Sequence, residues 1–203
     1  MPGLFVTFEG IDRSGKTTQA RMLCDVLGED ALGVREPGGT EVGERVRETL
    51  KDPSIPLSPE AEAMLFAAAC AQLVAEVIRP ALEAGRVVVS DRFLDSSLAY
   101  QGAARGLGME EVERVNAFAT GGLRPDLTFL LAIDPAAAAS RAGESDRFED
   151  EGVALQEQVL AAYEELAAAD PGRWRRIDAR RSPEDVHTDV LAEVEAARAG
   201  ARA

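Results

Sequence analysis

The stretch that most constrains this chain lies near its start. An apolar run, Phe5-Val6-Thr7-Phe8, leads into Glu9-Gly10-Ile11-Asp12-Arg13-Ser14-Gly15-Lys16-Thr17-Thr18. From Gly10 to Gly15-Lys16-Thr17 the spacing is the full G-x-x-x-x-G-K-[ST] of a phosphate-binding loop. Glycine at both ends lets the backbone N–H groups turn inward around a polyphosphate. A helix starting at Lys16 aims its positive end at the same anion. Lys16 has the reach for terminal phosphates, and the Thr17 hydroxyl suits a magnesium ion. A chance glycine-rich turn would lack the context seen here. An apolar strand precedes the loop, and Ala20, Leu23, Val26 and Leu27 share one helical face after it. The loop therefore predicts nucleotide binding, through Gly10, Ile11, Asp12, Arg13, Ser14, Gly15, Lys16 and Thr17. By itself it does not separate a kinase from an ATPase. A GTPase is disfavoured, because the chain has no N-K-x-D guanine reader.

Further along, strand and helix patterns alternate. Ala31–Val34 reads as a short strand, followed by the tight loop Arg35-Glu36-Pro37-Gly38-Gly39-Thr40. Thr40 is placed to cap a helix over 41–50, and Ser58-Pro59 to start a long helix reaching about Ala84. Pro80 predicts a kink or break in that helix near Arg79. Arg86–Ser90 and Leu127–Ile133 are apolar runs without alternation, as in parallel strands buried on both faces. Each ends in an acid, Asp91 and Asp134. Helices are expected at 95–104, 110–120, 135–141 and 153–169, a last strand at 174–178, and a final helix capped at Ser182 that frays after Ala196. Ala142–Gly152 is charged and aperiodic, so it reads as a solvated loop or as a lid holding arginines, about 141–152. The order predicts an α/β fold, one doubly wound parallel five-stranded sheet flanked by helices, in a single domain over 1–203.

Bulk properties narrow the function classes. The 203 residues are 46% hydrophobic, which argues against global disorder. With 22 Lys and Arg against 36 Asp and Glu the net charge is −14, a poor match for nucleic acid or an anionic membrane. Neither a leader nor an apolar run approaching about 20 residues is read, so the expectation is a cytoplasmic protein without a membrane span. Cys24 and Cys70 suggest neither a disulfide framework nor a zinc site, and Cys24 reads as a small buried helix residue. His187, the one histidine, reads as a surface residue.

Phosphoryl transfer needs positioned substrates, magnesium and positive charge over the moving group. The chain offers Lys16 and Thr17, the strand-end Asp91, and Arg13, Arg92, Arg141 and Arg147. Asp91 is a candidate to hold magnesium, through water, together with Thr17. Polar residues beyond the carboxyl ends of such strands are where open α/β sheets place ligands.

Three stretches together, Phe8–Thr18, Arg35-Glu36-Pro37-Gly38-Gly39-Thr40 and Asp91-Arg92-Phe93-Leu94-Asp95-Ser96-Ser97-Leu98-Ala99-Tyr100-Gln101-Gly102, resemble the thymidylate kinases. The resemblance runs nearly the whole chain, to Asp178-Ala179. It implies transfer of the ATP γ-phosphate to dTMP, with Mg2+, in a homodimer. It further implies that Asp12 faces the acceptor sugar, Arg92 holds the acceptor phosphate, Phe66 stacks on thymine, Tyr100 lies under the sugar, and Ser97 and Gln101 face the base. Glu149 and Asp146 would sit in the lid near the acceptor and metal. Lys16, Arg13, Asp91 and Arg92 form the expected catalytic set, with Arg13 as the main transition-state arginine over the lid candidates Arg141 and Arg147.

Two departures stand out. The family usually shows Phe-Ala-Ala-Asp-Arg-Ala-x-x-His, its arginine on the thymine; here the acid, arginine and histidine are Ala69, Cys70 and Leu73. The loop carries Arg13 while the lid begins Ala142-Gly143, a eukaryotic arrangement within a bacterial pattern. A related nucleoside monophosphate or deoxynucleoside kinase with altered base choice is therefore the alternative, and a non-catalytic nucleotide-binding protein a second.

Overall fold

Burial explains which strands are uniformly apolar. In β1 (Leu4–Glu9), β3 (Val87–Asp91) and β4 (Leu127–Ala132) almost every residue is buried, whereas β2 (Ala31–Arg35) and β5 (Trp174–Asp178) are only partly buried. The sheet order is β2-β3-β1-β4-β5 with every pairing parallel, so the partly buried strands are the two edges. The structure, a computed structural model, describes residues 3–141 and 152–200. The expected five-stranded parallel sheet is therefore present, flanked by helices.

The helices cover both faces. Val6, Phe8, Val87, Val89 and Phe129 pack with α1 (Lys16–Leu27), α8 (Val153–Ala169) and α9 (Pro183–Gly200). Phe5 and Val88 point the other way, onto Cys70, Leu73 and Val74 of the long helical run after residue 58. The alternation of Phe5 against Val6 within one strand is the period-2 pleat.

Capping follows the sequence. Thr40 Oγ1 accepts from Gly43 N at 2.9 Å and starts α2 (Glu41–Lys51). Ser58 Oγ accepts from Ala61 N at 3.2 Å and starts α3 (Pro59–Leu73). The break expected at Pro80 takes another form. The helical run continues through a π-helical turn over Val74–Ile78 into α4 (Arg79–Glu83), and that wider turn just before Pro80 is where the ladder adjusts. After β3 come α5 (Leu94–Ser97) and a second π-helical stretch, Leu98–Ala104. Then follow α6 (Met109–Thr120) and α7 (Pro135–Ala139).

Four expectations are corrected. The run Pro59–Glu83 is long and apolar enough to cross a membrane, with mean hydropathy 1.7 over its best window; Cys70, Leu73, Val74, Ile78 and Ala81 from it instead join the core with Phe5 and Val88. α9 continues to Gly200 rather than fraying after Ala196, and Arg198 Nη2 donates to Asp30 Oδ2 at 3.0 Å. Cys24 is half-buried, not buried. His187 is half-buried too, its ring nitrogens are enclosed without a partner among the described residues, and burial lowers its pKa.

Candidate active site

The loop after β1 folds tightly on itself. Gly10 has φ 142°, and a Cβ there would stand 2.8 Å from Leu131 O and 2.9 Å from Ser14 Oγ. Only glycine fits. Lys16 is buried rather than exposed in the cavity, and its Nζ donates to Ile11 O at 2.7 Å and Ser14 Oγ at 3.4 Å. Burial, with Arg92 next, pushes its pKa down to about 8. The Ile11 side chain is core, so its carbonyl is what it brings to the loop. Thr17 Oγ1 donates to Asp91 Oδ2 at 2.5 Å, joining the start of α1 to the end of β3.

Arg13 and Arg141 brace the loop against the chain after α7. Arg13 Nη1 donates to the carbonyls of Ala139 and Arg141 at 3.3 and 3.1 Å. Arg141 Nη1 returns the contact to the carbonyls of Arg13 and Ser14 at 3.1 and 3.2 Å, while its Nη2 donates to Ala179 O at 2.5 Å. Arg13 is therefore tied to the chain after α7 and not held by the loop alone. Arg147, Asp146 and Glu149 lie outside the described residues.

Arg92 is the hub of the other side. Its Nη2 forms an ion pair with Asp12 Oδ1 and donates to Tyr100 OH at 3.3 Å. Nη1 reaches Gly10 O at 3.2 Å, Ser96 Oγ at 3.1 Å and Tyr163 OH at 3.4 Å. Beneath it, buried Glu9 accepts from Phe93 N at 2.8 Å, Ser96 Oγ at 2.6 Å and Tyr163 OH at 2.8 Å. Burial, then the charge of Asp95, raises the Glu9 pKa to about 7. Burial opposes ionisation of Asp12 as well, but Arg92 and then Lys16 outweigh it and the pKa falls below the usual aspartate value. Gln156 Nε2 completes the Asp12 shell at 2.8 Å. Among the described residues, Arg13 (φ 59°) and Arg92 (φ 71°) are the non-glycine residues with left-handed backbone, a strain that clusters at functional sites.

One cleft of about 280 Å³ gathers most of the expected residues: Asp12, Arg13, Lys16, Thr17, Phe66, Asp91, Arg92, Ser97, Tyr100 and Gln101. Gln101 Nε2 donates to buried Glu62 at 3.0 Å, which fixes its amide. Ser14, Gly15 and Arg141 line a second opening of about 490 Å³ behind the loop, with Ala179 and Pro183. The two openings share Arg13, Lys16 and Thr17, so phosphates placed there are reachable from both.

Sequence reasoning missed part of the cleft wall. Arg35, Glu36, Pro37, Arg47 and Lys51 line it as well. Glu36 is an acid at the end of β2, and the rule that singled out Asp91 applies equally to it. Arg47 and Lys51 are one turn apart on α2, a spacing that was legible. Ser96, Gln156, Tyr163 and Glu9 carried no local signal.

The comparisons with known proteins agree with this geometry. The family model described as Thymidylate kinase matches residues 8–190. A thymidylate kinase of Desulforudis audaxviator is 52% identical over 188 residues, covering 89% of this chain and 85% of that protein. One from Pelotomaculum thermopropionicum is 49% identical over 199 residues, covering 94% and 92%. Among solved structures, the thymidylate kinase of Ehrlichia chaffeensis superposes with a TM-score of 0.78 at 30% identity, covering 96% of this chain and 99% of that one.

Proposed function

The chain belongs to the thymidylate kinase family and is a kinase that phosphorylates dTMP from ATP in dTTP synthesis; from that premise we propose that its two openings are the acceptor and donor sites. The observation that carries this is one cleft holding both phosphate-directed groups, Lys16, Thr17, Asp91 and Arg92, and base-directed groups, Phe66, Ser97 and Gln101. In this reading ATP lies along the loop with its adenine beside Arg141 and Ala179. dTMP enters from the Phe66 side. An oxygen of its phosphate attacks the γ-phosphorus, the bond to the β–γ bridging oxygen breaks, and ADP leaves.

The residues divide that work. Lys16 and Arg13 place positive charge over the transferring group, where it is worth most in a water-poor site. Arg92 holds the acceptor phosphate, itself oriented by Asp12 and Tyr100. Thr17 and Asp91 present two hard oxygens side by side, a donor set that suits Mg2+, which keeps waters and takes its remaining ligands from phosphates. When bound, Mg2+ neutralises charge on the phosphates. We assign residues 1–203 to one kinase domain, with 141–152 as its lid, working in the cytoplasm where both nucleotides are found.

A homodimer accords with the surface. Phe118 is 92% exposed, with Met64 at 63% and Val115 at 37%, on α3 and α6, which pack on each other. A second copy is the partner proposed for that apolar face, and Phe118→Asp should shift the sedimenting mass to that of a single chain. The test of the function is an acceptor panel with ATP: dTMP, dUMP, dCMP, dGMP and thymidine. Preference for dTMP is expected. Faster turnover of another acceptor would overturn the assignment, and absence of ADP formation with every acceptor would indicate a binding protein.

A further inference from the structure

Buried polar groups from separate elements converge on one guanidinium. Arg92 Nη1 donates to Ser96 Oγ of α5 at 3.1 Å, to Tyr163 OH of α8 at 3.4 Å and to Gly10 O at 3.2 Å. Behind it both hydroxyls reach Glu9 of β1, whose Oε2 accepts from Ser96 Oγ at 2.6 Å and from Tyr163 OH at 2.8 Å. The two hydroxyl oxygens lie 2.8 Å from each other. Glu9 and Tyr163 are wholly buried, whereas Arg92 lines the cleft.

Counting hydrogens gives the arrangement a direction. A guanidinium carries donors only. Ser96 and Tyr163 must therefore each turn a lone pair to Nη1 and send the hydroxyl hydrogen elsewhere. The Glu9 carboxylate is the acceptor that takes it. Its other oxygen is held by the N–H of Phe93 at 2.8 Å, the residue next to Arg92. Burial, then the charge of Glu9, keeps the Tyr163 hydroxyl protonated, so its hydrogen is there to give.

Core packing alone does not call for such a group. A buried charge is commonly no more stabilising than apolar side chains of the same volume, and α8 supplies Val159 and Ala162 to the same core. What the polar set adds is a fixed guanidinium on a residue whose own backbone is strained, at φ 71°. The same helix also holds the ion-pair partner of Arg92: Gln156, two turns before Tyr163, donates Nε2 to Asp12 Oδ2 at 2.8 Å.

We propose that Tyr163 is a positioning residue for the reaction, its hydroxyl relaying the charge of Glu9 to Arg92 and so setting the guanidinium that meets the acceptor phosphate. This rests on the role given to Arg92 above. Ser96 is the second arm of the same relay.

The experiment uses the full chain as wild type, Tyr163→Phe, Arg92→Ala and the double variant, with Ser96→Ala as a second probe of the relay. Calorimetry gives the Kd for dTMP and for thymidine, which lacks the phosphate, and steady-state kinetics gives KM for dTMP and ATP. Tyr163→Phe keeps the ring that packs on Trp174 and removes one oxygen. It should weaken dTMP by about 3- to 10-fold, the worth of one hydrogen bond. Thymidine binding and KM for ATP should stay within about 2-fold, because neither involves the acceptor phosphate. Ser96→Ala should show the same split. In the Arg92→Ala background, Tyr163→Phe should cost less than about 2-fold, since residues that act as a unit are not additive. A role in packing alone would instead weaken dTMP and thymidine equally and persist without Arg92. Either result overturns the inference, as does unchanged dTMP affinity in both Tyr163→Phe and Ser96→Ala. If Arg92→Ala leaves the preference for dTMP over thymidine intact, the acceptor-phosphate assignment fails instead. The relay is then judged by additivity alone: it stands if Tyr163→Phe is silent in the Arg92→Ala background and falls if its effect there is full.

Discussion

The two sides of the cleft hold their cations in opposite ways. Among the described residues the donor side uses mostly backbone carbonyls: Ile11 for Lys16, beside the Ser14 hydroxyl, Ala139 and Arg141 for Arg13, and Arg13, Ser14 and Ala179 for Arg141. On the acceptor side Arg92 is held by side chains, an ionised Asp12 and the hydroxyls of Ser96, Tyr100 and Tyr163. Carbonyls are neutral and fixed by the fold, so these contacts orient the donor cations without cancelling their charge. Asp12 cancels much of the Arg92 charge, which leaves a directional contact for one phosphate. The donor side is thus a field and the acceptor side a template.

The largest effect expected from this contrast is at Lys16. Lys16→Met should lower kcat/KM by about 10³-fold or more, since it removes a charge aimed at the transferring group. The ligand-free unfolding midpoint should not fall, because the lost amine was a buried cation. Near-normal turnover would break the reading of the loop as catalytic.

Next comes Arg13. Arg13→Ala should reduce kcat by about 10²- to 10³-fold and leave KM for ATP within a few-fold, the pattern of a contact made in the transition state. Arg141→Ala, which unties the loop from Ala179, should act mainly on KM for ATP. A larger kcat loss in Arg141→Ala or Arg147→Ala would transfer the role to the lid.

On the acceptor side, Arg92→Ala should raise KM for dTMP by about 10- to 100-fold with a much smaller change for ATP. Equal changes would erase the distinction between field and template.

The acids under the template predict a pH dependence. Glu9, facing Asp95, Arg92, Glu36, Lys16 and Tyr163, has a folded pKa of about 7 against 4.5 when unfolded. Between those values the folded protein binds a proton that the unfolded chain has released, so stability falls as pH rises through the window and levels off above it. The scale is on the order of 1 kcal/mol or more. Denaturant unfolding of Glu9→Gln beside wild type from pH 4.5 to 8 should show the difference between them changing across that span; parallel curves would refute it.

The smallest effect belongs to Cys70. Cys70→Arg brings a guanidinium to the neighbourhood of Glu36 and should alter dTMP affinity or the acceptor panel by a few-fold. An unchanged panel would mean that the base edge is already fully read.

Local chemistry made much of this legible. The loop from Gly10 to Thr17, the caps at Thr40 and Ser58, and the strand-end Asp91 each declare themselves within a few residues. What stayed hidden depends on distance along the chain. Glu9 meets Tyr163 and Asp12 meets Gln156 across 154 and 144 positions, and no spacing rule links such pairs. The π-helical turn over Val74–Ile78 escaped because the stretch around it is apolar or alanine on nearly every face, so a one-residue shift of about 100° disturbs no visible pattern. Glu36 is hidden for another reason: the turn chemistry of Pro37-Gly38-Gly39 accounts for its loop without it, so its carboxylate carries no separate signal.

The left-handed backbone at Arg13 and Arg92 bears on how such an enzyme can be lost. At both positions the main chain alone would select glycine, and every arginine codon reaches glycine by one base change. For Arg13 that change would relieve about 1 kcal/mol or more of backbone strain but release its guanidinium contacts, those to the carbonyls of Ala139 and Arg141 among them. At Arg92 the same change would strand Asp12 in a buried site. Both arginines are therefore held against the preference of their own backbone, and it is the work of their side chains that retains them.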